Sequence, residues 1–440
     1  MFANLPETGQ KRIVIVGAGF GGLTLAQKLA RYDVQVVLVD KNNYHQFQPL
    51  FYQVAMAGLE PSAISFPIRK IFQKQKNIHV RITAVNRIDT QIKQLKTDIG
   101  VINYDYLVLA IGADTNYYGM ENIEKNGIPM KSISEAIYLR NRVLQNFEDA
   151  LSEPDEEEKE GMMSVVVVGG GPTGVELSGT LAEMRKMILP KDYPELDFER
   201  MKIYLFQSGD RVLPTMSDQA ADKGGKYLEE LGVDLRLGER VVDFDGRYAI
   251  TNKGDRIRAN NLVWAAGIKS NRIEGLADEA YSRSGRLQVD GISCVQGYTD
   301  VFAIGDMAEM VSEEYPRGHP QLAQAAIQQG ELLAENLFQL IKGEPTENFE
   351  YKDLGSMATI GRNLAVVDLP FWRFQGAFAW YVWMFVHLMA ILGAKNKLMV
   401  LINWVWSYIT YDQSLRLIIK PNWRILNRKS EKKEEIEAEP

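Results

Sequence analysis

The sequence predicts an α/β protein of two Rossmann-like domains, one inserted in the other, followed by an amphipathic helical C-terminal region. Three observations carry this expectation. Two glycine-rich turns of one design follow β-branched runs, Ile13-Val-Ile-Val-Gly17-Ala-Gly19-Phe-Gly-Gly22 and Val165-Val-Val-Val-Gly169-Gly-Gly171-Pro-Thr-Gly174. Each is followed later by a buried-type strand ending in glycine, Tyr106-Leu-Val-Leu-Ala-Ile-Gly112 and Asn261-Leu-Val-Trp-Ala-Ala-Gly267. A further strand, Thr299-Asp-Val-Phe-Ala-Ile-Gly305-Asp306, comes after the second unit, so the chain returns to its first domain after visiting the second.

An apolar strand running into G-x-G-x-x-G and then a helix lets backbone N–H groups and a helix N-terminus meet a pyrophosphate. Gly17, Gly19, Phe20 and Gly22 form the first such cradle. The next strand, Val34-Gln-Val-Val-Leu-Val-Asp40, ends in a carboxylate placed to accept hydrogen bonds from ribose hydroxyls, with Lys41 beside it. Ala110 and Gly112 close the same site from the following strand. Asp306 bonds the ribityl chain of a flavin while Gly305 lets the backbone come close, which makes the first nucleotide FAD.

The second cradle is Gly169, Gly171, Pro172, Thr173 and Gly174, with Ala266 and Gly267 at its matching strand end. Its second strand, Lys202-Ile-Tyr-Leu-Phe-Gln207, is delayed by the loop Leu189-Pro-Lys-Asp-Tyr-Pro-Glu-Leu-Asp and ends in glutamine. Gln207 hydrogen-bonds a ribose but carries no charge to repel a 2′-phosphate. NADH is therefore expected as the main donor, with measurable use of NADPH. Two cradles imply two dinucleotides, and a chain holding both passes electrons between them.

The domain boundaries follow: 10–120 for the first part of the FAD domain, 121–162 for a connecting helix and acidic linker, and 163–285 for the NAD(P)H domain. The second part of the FAD domain takes 286–345, a membrane-association region 346–430 and a charged tail 431–440. The acidic run Ser152-Glu-Pro-Asp-Glu-Glu-Glu-Lys-Glu-Gly161 reads as a solvated linker or helix end. Ile78 to Arg87 and Tyr248 to Ile257 alternate as strands of small antiparallel inserts.

Composition narrows the function classes. The 440 residues are 46% hydrophobic with a net charge of −7, which is ordinary for a globular protein and gives no footprint for nucleic acid. A single cysteine, Cys294, precludes an intrachain disulfide and a redox C-x-x-C, against both disulfide reduction and sulfide oxidation. It reads as a packed core residue. No spacing suggests a metal site or an iron–sulfur cluster. Met1 to Arg12 is short and polar and carries no targeting signal, so the cytoplasmic side is expected.

Charge is uneven, however. Between Phe371 and Ser430 eight basic residues (Arg373, Lys395, Lys397, Arg416, Lys420, Arg424, Arg428, Lys429) face one acid, Asp412, and six of the seven tryptophans lie there. The apolar stretches Gly376–Leu392, with His387 inside it, and Leu398–Tyr411 are too short for convincing spans. Followed by Ser414-Leu-Arg-Leu-Ile-Ile-Lys-Pro-Asn-Trp-Arg, they suit helices lying in the headgroup region, drawn to anionic lipid. The whole then reads as two Rossmann-like dinucleotide-binding domains with a C-terminal amphipathic helical membrane-anchoring region.

The sequence resembles the type II NADH dehydrogenases, single-subunit NADH:quinone oxidoreductases of the two-dinucleotide flavoprotein superfamily, over essentially its whole length. The match rests on Gly17–Gly22, Asn43-Tyr-His-Gln-Phe-Gln-Pro-Leu-Phe-Tyr-Gln-Val-Ala55, Gly169-Gly-Gly-Pro-Thr-Gly-Val-Glu176, Ala303–Asp306 and Ala323-Gln-Ala-Ala-Ile-Gln-Gln-Gly330. Gln207 departs from the glutamate usual there. The resemblance implies a monotopic, non-pumping flavoenzyme at the cytoplasmic face of the membrane, homodimeric, taking NADH and a membrane quinone. It places Glu176 beside flavin and nicotinamide, Ala323 and Gln324 against the flavin, and Gln324 and Gln328 at the quinone pocket. With Pro320 in the first turn of a helix, Gln324 and Gln328 share one face, and their amides suit a quinone carbonyl. Lys395 and Lys397, at the turn between the apolar stretches, are candidates for the quinone mouth. Two other readings are a soluble reductase serving a ferredoxin-like partner, which has no use for such a tail, and a sulfide:quinone oxidoreductase, which needs cysteines. A membrane scaffold or redox sensor is disfavoured by intact Asp40, Asp306 and the glutamine motif.

Overall fold

The computed structural model describes residues 3–413 and 415–419. Two five-stranded parallel sheets form the frame. The first runs in the order Val301–Ala303, Tyr106–Leu109, Arg12–Val16, Gln35–Asp40, Ile78–Ile82, and the second Ile128–Pro129, Asn261–Trp264, Val165–Val168, Ile203–Gln207, Asp234–Leu237. In each, the strand feeding the glycine turn lies at the centre, and its residues are buried on both faces, hence the unbroken valine and isoleucine runs. The Val301–Ala303 strand completes the first sheet from beyond the second, so one domain is inserted in the other.

The segment from Ile78 divides differently from its alternating pattern. Ile78–Ile82 is the outer strand of the parallel sheet, and only Val85–Asp89 begins the antiparallel insert with Gln94–Thr97 and Gly100–Asn103. An edge strand with one wetter face alternates much as an antiparallel strand does. The second insert, Val241–Phe244, Tyr248–Thr251 and Arg256–Arg258, is antiparallel throughout. The acidic run forms a helix, Glu156–Met163, whose first turn is capped by the Asp155 carboxylate accepting from the Glu158 N–H at 2.9 Å. Its acids are partnered: Glu160 meets Arg200 at 3.4 Å, and Glu158 pairs with Arg258.

A third unit follows the long helix Ala323–Lys342: an antiparallel sheet of Ser356–Gly361, Leu364–Asp368 and Arg373–Gln375, then the helices Ala377–Ala390 and Ala394–Thr410. It is welded to the second domain, because Trp383, Val400 and Trp404 share a core with Val167, Leu181 and Leu205. Burying one tryptophan of that size removes ~150–250 Å² from water, roughly 4–6 kcal/mol of apolar driving force. The outward faces of the two helices are apolar all the same: Phe378, Phe385, Met389, Leu398, Ile402, Trp406 and Ile409 are exposed. Among the described residues no helix is long and apolar enough to cross a membrane. Lys420, Trp423, Arg424, Arg428, Lys429 and the tail 431–440 lie outside the described residues. Arg416 is engaged within the protein, by Asp412 at 2.9 Å and by Asp192.

Candidate active site

The two glycine turns are built alike to the atom. Gly17 has φ +104° and Gly169 φ +114°, and a Cβ on either would strike a backbone carbonyl, of Ala110 in one case and Ala265 in the other. Only glycine is free of both penalties there. Gly22 and Gly174 in turn sit against the carbonyls of Gly17 and Gly169, holding the helices Phe20–Leu29 and Pro172–Met187 against their strands. Each strand-end side chain then ties down its turn: Asp40 accepts from the Ala18 N–H at 2.7 Å, and Gln207 accepts from the Gly170 N–H at 2.9 Å. The equivalence of Asp40 and Gln207 is thus a matter of register.

The first turn opens on a cavity of about 480 Å³ lined by Gly19, Phe20, Asp40, Ala110, Gly112, Gly305, Asp306 and Ala323, with Pro172, Thr173, Glu176 and Gly267 reaching it from the second domain. Lys41 is exposed and off this wall, which its neighbour Asn42 supplies instead. Burial pushes the Asp40 carboxyl above its ordinary range, against the pull of the Ala18 and Asn42 N–H groups. Burial likewise raises Asp306, opposed by Lys131, whose ammonium stands 3.9 Å away, and by Arg286. Gly305 is in the left-handed region, and its N–H is fixed by the Gln329 side chain at 2.7 Å.

Several residues of this site escaped sequence reading. Gln329 lay within the quoted glutamine motif, adjacent to Gln328. His45, also within a quoted motif, buttresses the first turn through Nδ1 and the Ala18 carbonyl at 2.9 Å. Lys131, Gln321 and His387 also line the cavity, and they carry no local signal. His387 stacks on Trp383 with ring centroids 4.1 Å apart, and burial pushes its imidazole down to about 4, against a hydrogen bond to the Trp383 carbonyl.

A second cavity of about 660 Å³ is lined by Gly169, Gly171, Gln207, Ala266, Tyr118 and Glu239. Trp264 and Ala265 line both cavities, so the second continues toward the first across a shared wall. Glu176, in the second turn of the Pro172–Met187 helix, is buried on the wall of the first cavity. Burial holds its carboxyl well above the ordinary range, against the Thr359 N–H and the Trp383 indole.

The glutamine motif sits differently from expectation. The helix begins at Ala323, leaving Pro320 before it, and Gln324 and Gln328 do share a face. That face turns away from the cavity, onto the backbone of the 352–355 segment. Gln328 donates to the Lys352 carbonyl at 2.9 Å and accepts from its N–H at 3.0 Å, while Gln324 accepts from the Leu354 N–H at 3.1 Å and donates to the Gly355 carbonyl at 3.3 Å. Their neighbours Gln321, Leu322, Ala323 and Ala326 line the cavity instead. Lys395 and Lys397 lie in the first turn of the last helix, not in the connecting turn, and Lys397 donates to the Met389 carbonyl at 2.7 Å. Cys294 is buried, its thiol donating to the Tyr298 carbonyl at 3.2 Å, and burial pushes it up to about 12.

The sequence profile described as pyridine nucleotide-disulphide oxidoreductase matches residues 11–330, and that of the NDH2 C-terminal domain matches residues 354–410. The chain is 35% identical over 415 residues to the type II NADH:quinone oxidoreductase Ndh of Mycobacterium tuberculosis, covering 91% of this chain and 88% of that one. It is 27% identical over 359 residues to the type II NADH:quinone oxidoreductase of Staphylococcus saprophyticus, covering 80% and 88%. The solved structure of NDH2 from Plasmodium falciparum in complex with NADH superposes with a TM-score of 0.86 at 22% identity, over 93% of this chain and 100% of that one, which speaks for the fold. Two equivalent nucleotide cradles meeting at one wall, a C-terminal sheet and helix pair fused to the second, and these likenesses together place the chain in the type II NADH:quinone oxidoreductase family.

Proposed function

We propose that this chain is a peripheral, non-pumping respiratory enzyme that carries two electrons from NADH through FAD to a membrane quinone, with NADPH as a slower donor. The observation that supports the electron path best is the shared wall of Trp264 and Ala265, where the two cavities meet. The first cavity fits FAD: its glycine turn leaves no room for a Cβ at Gly17, Asp40 lines it beside that turn, and among the described residues Asp306 meets no cation closer than Lys131, at 3.9 Å. Bound there, the flavin supplies the two-electron step between nicotinamide and quinone.

The protein's own residues bind, orient and shield. Gly169 to Gly174 and the N-terminus of the Pro172–Met187 helix take the donor's pyrophosphate, and Gln207 takes its ribose. Pro172, Thr173 and Gly267 guide the nicotinamide across the shared wall. Glu176, whose neutral form burial favours, donates a hydrogen bond into the cavity and delivers a proton to the acceptor oxygen. Gln324 and Gln328 act on the quinone indirectly, by clamping the 352–355 segment beside the helix N-terminus. Lys395 and Lys397 stand where the last two helices would meet lipid headgroups, at the quinone's point of entry. The exposed apolar faces of those helices, at the cytoplasmic side of a bilayer, attach the enzyme without spanning it. The homodimer is carried over from the family resemblance.

The test is reconstitution on quinone-containing vesicles. NADH oxidation that requires the quinone, cosediments with the vesicles and leaves the lumenal pH unchanged supports the proposal. Equal rates without quinone, or lumenal acidification during turnover, refute it.

A further inference from the structure

Between Glu60 and Asp89 the chain carries no acid, yet it holds Arg69, Lys70, Lys74, Lys76, Arg81 and Arg87. The first four are exposed and meet no acid among the described residues, whereas Lys28 and Arg31 of the same domain are met by Glu331 at 2.8 Å and Glu335 at 3.7 Å. The short helix Ile68–Ile71 sets their direction. Ile68 and Phe72, four apart, turn into the core of the first domain, so Arg69 and Lys70 face out.

The same segment is fastened to the turn between the last two helices. Asn396 donates to the Ser62 and Ala63 carbonyls, both at 3.1 Å, and Leu392 packs against the core that holds Ile68 and Phe72. Gly393 lies so close to the Phe66 ring that a Cβ would strike it, and the Lys70 ammonium stands over that ring, 5.5 Å from its centroid. The cations therefore border the exposed apolar face at its Met389, Leu398 and Met399 end, where Lys395 is exposed too. The helices bring no acid of their own, since none occurs from Leu369 to Tyr411. Two C-terminal cations, by contrast, are occupied within the protein: Arg416 by Asp192 and Asp412, and Lys397 by the Met389 carbonyl at 2.7 Å.

We propose that Arg69, Lys70, Lys74 and Lys76 of the first domain, with Lys395, form an anionic-phospholipid site, a basic collar that binds headgroup phosphates beside the apolar helix face. The inference rests on the membrane attachment proposed above and adds the lipid class and the residues that read it. Apolar area does not distinguish lipid charge, whereas each cation held near a negatively charged leaflet gains about fivefold in partition, an effect confined to ~10 Å at 0.1 M salt. The stems of Arg69 and Lys70 lie along apolar surface while their charged heads reach the phosphates. A bilayer, not an acidic protein, is the occupant, because acyl chains cover the adjoining apolar face that a charged partner would leave wet.

The test sediments the FAD-loaded full chain with vesicles of phosphatidylcholine alone and with vesicles that also contain phosphatidylglycerol, at about 0.1 M and about 1 M salt. The wild type prefers the anionic vesicles at low salt and loses the preference at high salt. Arg69→Gln combined with Lys70→Gln weakens partitioning to the anionic vesicles by about 25-fold, about fivefold for each cation, with flavin content and phosphatidylcholine binding unchanged. A charge-matched pair, Lys96→Gln with Lys125→Gln, removes exposed cations beside the cores on the opposite faces of the two sheets and keeps the preference. An Arg69 and Lys70 variant within about threefold of the wild type on anionic vesicles, or an equal loss in the control pair, overturns the collar. So does a wild type without an anionic preference, a result that needs no variant to fold. A wild type that binds neither vesicle overturns the membrane attachment instead.

Discussion

Gln207 offers a sharp test of how the second cradle chooses its nucleotide. Its Oε1 takes the Gly170 N–H at 2.9 Å, in the position where the Asp40 carboxylate takes the Ala18 N–H at 2.7 Å. Gln207→Glu keeps the side-chain length and the bond to Gly170 and adds a charge facing the adenosine ribose. A charged acceptor is worth about 1 kcal/mol more than a neutral one, so NADH gains roughly fivefold in kcat/KM. A 2′-phosphate about 5 Å from the new carboxylate is opposed by about 3 kcal/mol per charge at an effective dielectric of 20, which screening at an open cavity reduces to about 2. The NADPH-to-NADH ratio of kcat/KM should therefore fall by about 100-fold, read from initial rates with each donor at fixed quinone. A ratio unchanged within about threefold would refute the assignment of Gln207 to the ribose.

Other perturbations test the first glycine turn, the buried titratable groups and the outer helix face. Gly17→Ala drives a Cβ into the Ala110 carbonyl at φ +104°; a loss of about 3 kcal/mol or more is expected, seen as flavin-free or unfolded protein by absorbance after purification. His387 is held down to about 4 from its ordinary 6.5, so below pH 6.5 the unfolded chain binds a proton that the folded one refuses. Stability is full above pH 6.5 and falls by about 3 kcal/mol as pH drops toward 4; urea melts across that window should show the loss, and His387→Gln should remove it. The Glu176 carboxyl is raised instead, so its contribution is complete at acid pH and lost as pH rises; Glu176→Gln should gain on the wild type in thermal melts at alkaline pH. Phe385 and Ile409 are 66% and 72% exposed on the outer helix face. Replacing both by serine forfeits about 3 kcal/mol of lipid insertion, roughly 150-fold in vesicle partitioning by sedimentation, and an unchanged partition would place the membrane contact elsewhere.

The frame of this molecule was legible because its signals are local. A β-branched run, a glycine turn and a helix are read from a dozen consecutive residues, and both turns lie where the pattern puts them, with Asp40 and Gln207 in matching register. What could not be read depends on distant chain. Gln324 and Gln328 share a face as their spacing requires, but what covers that face is the backbone of Lys352 to Gly355, which no periodicity announces. Lys131, Gln321 and His387 reach the site from three separate stretches, and each alone looks like an ordinary core or surface residue. Ile78–Ile82 misleads for a different reason: alternation reports one wet face, and an outer parallel strand has one too. The acidic run concealed a helix because its charges are met by Arg200 and Arg258, far along the chain.

The most direct test of the central claim is anaerobic and sequential. Protein loaded with FAD is mixed with NADH, then with a quinone, while flavin absorbance is followed. NADH should bleach the flavin rapidly and NADPH more slowly, and the oxidised spectrum should recover fully when quinone is added. Flavin that NADH fails to bleach, or that stays bleached after quinone, would contradict it.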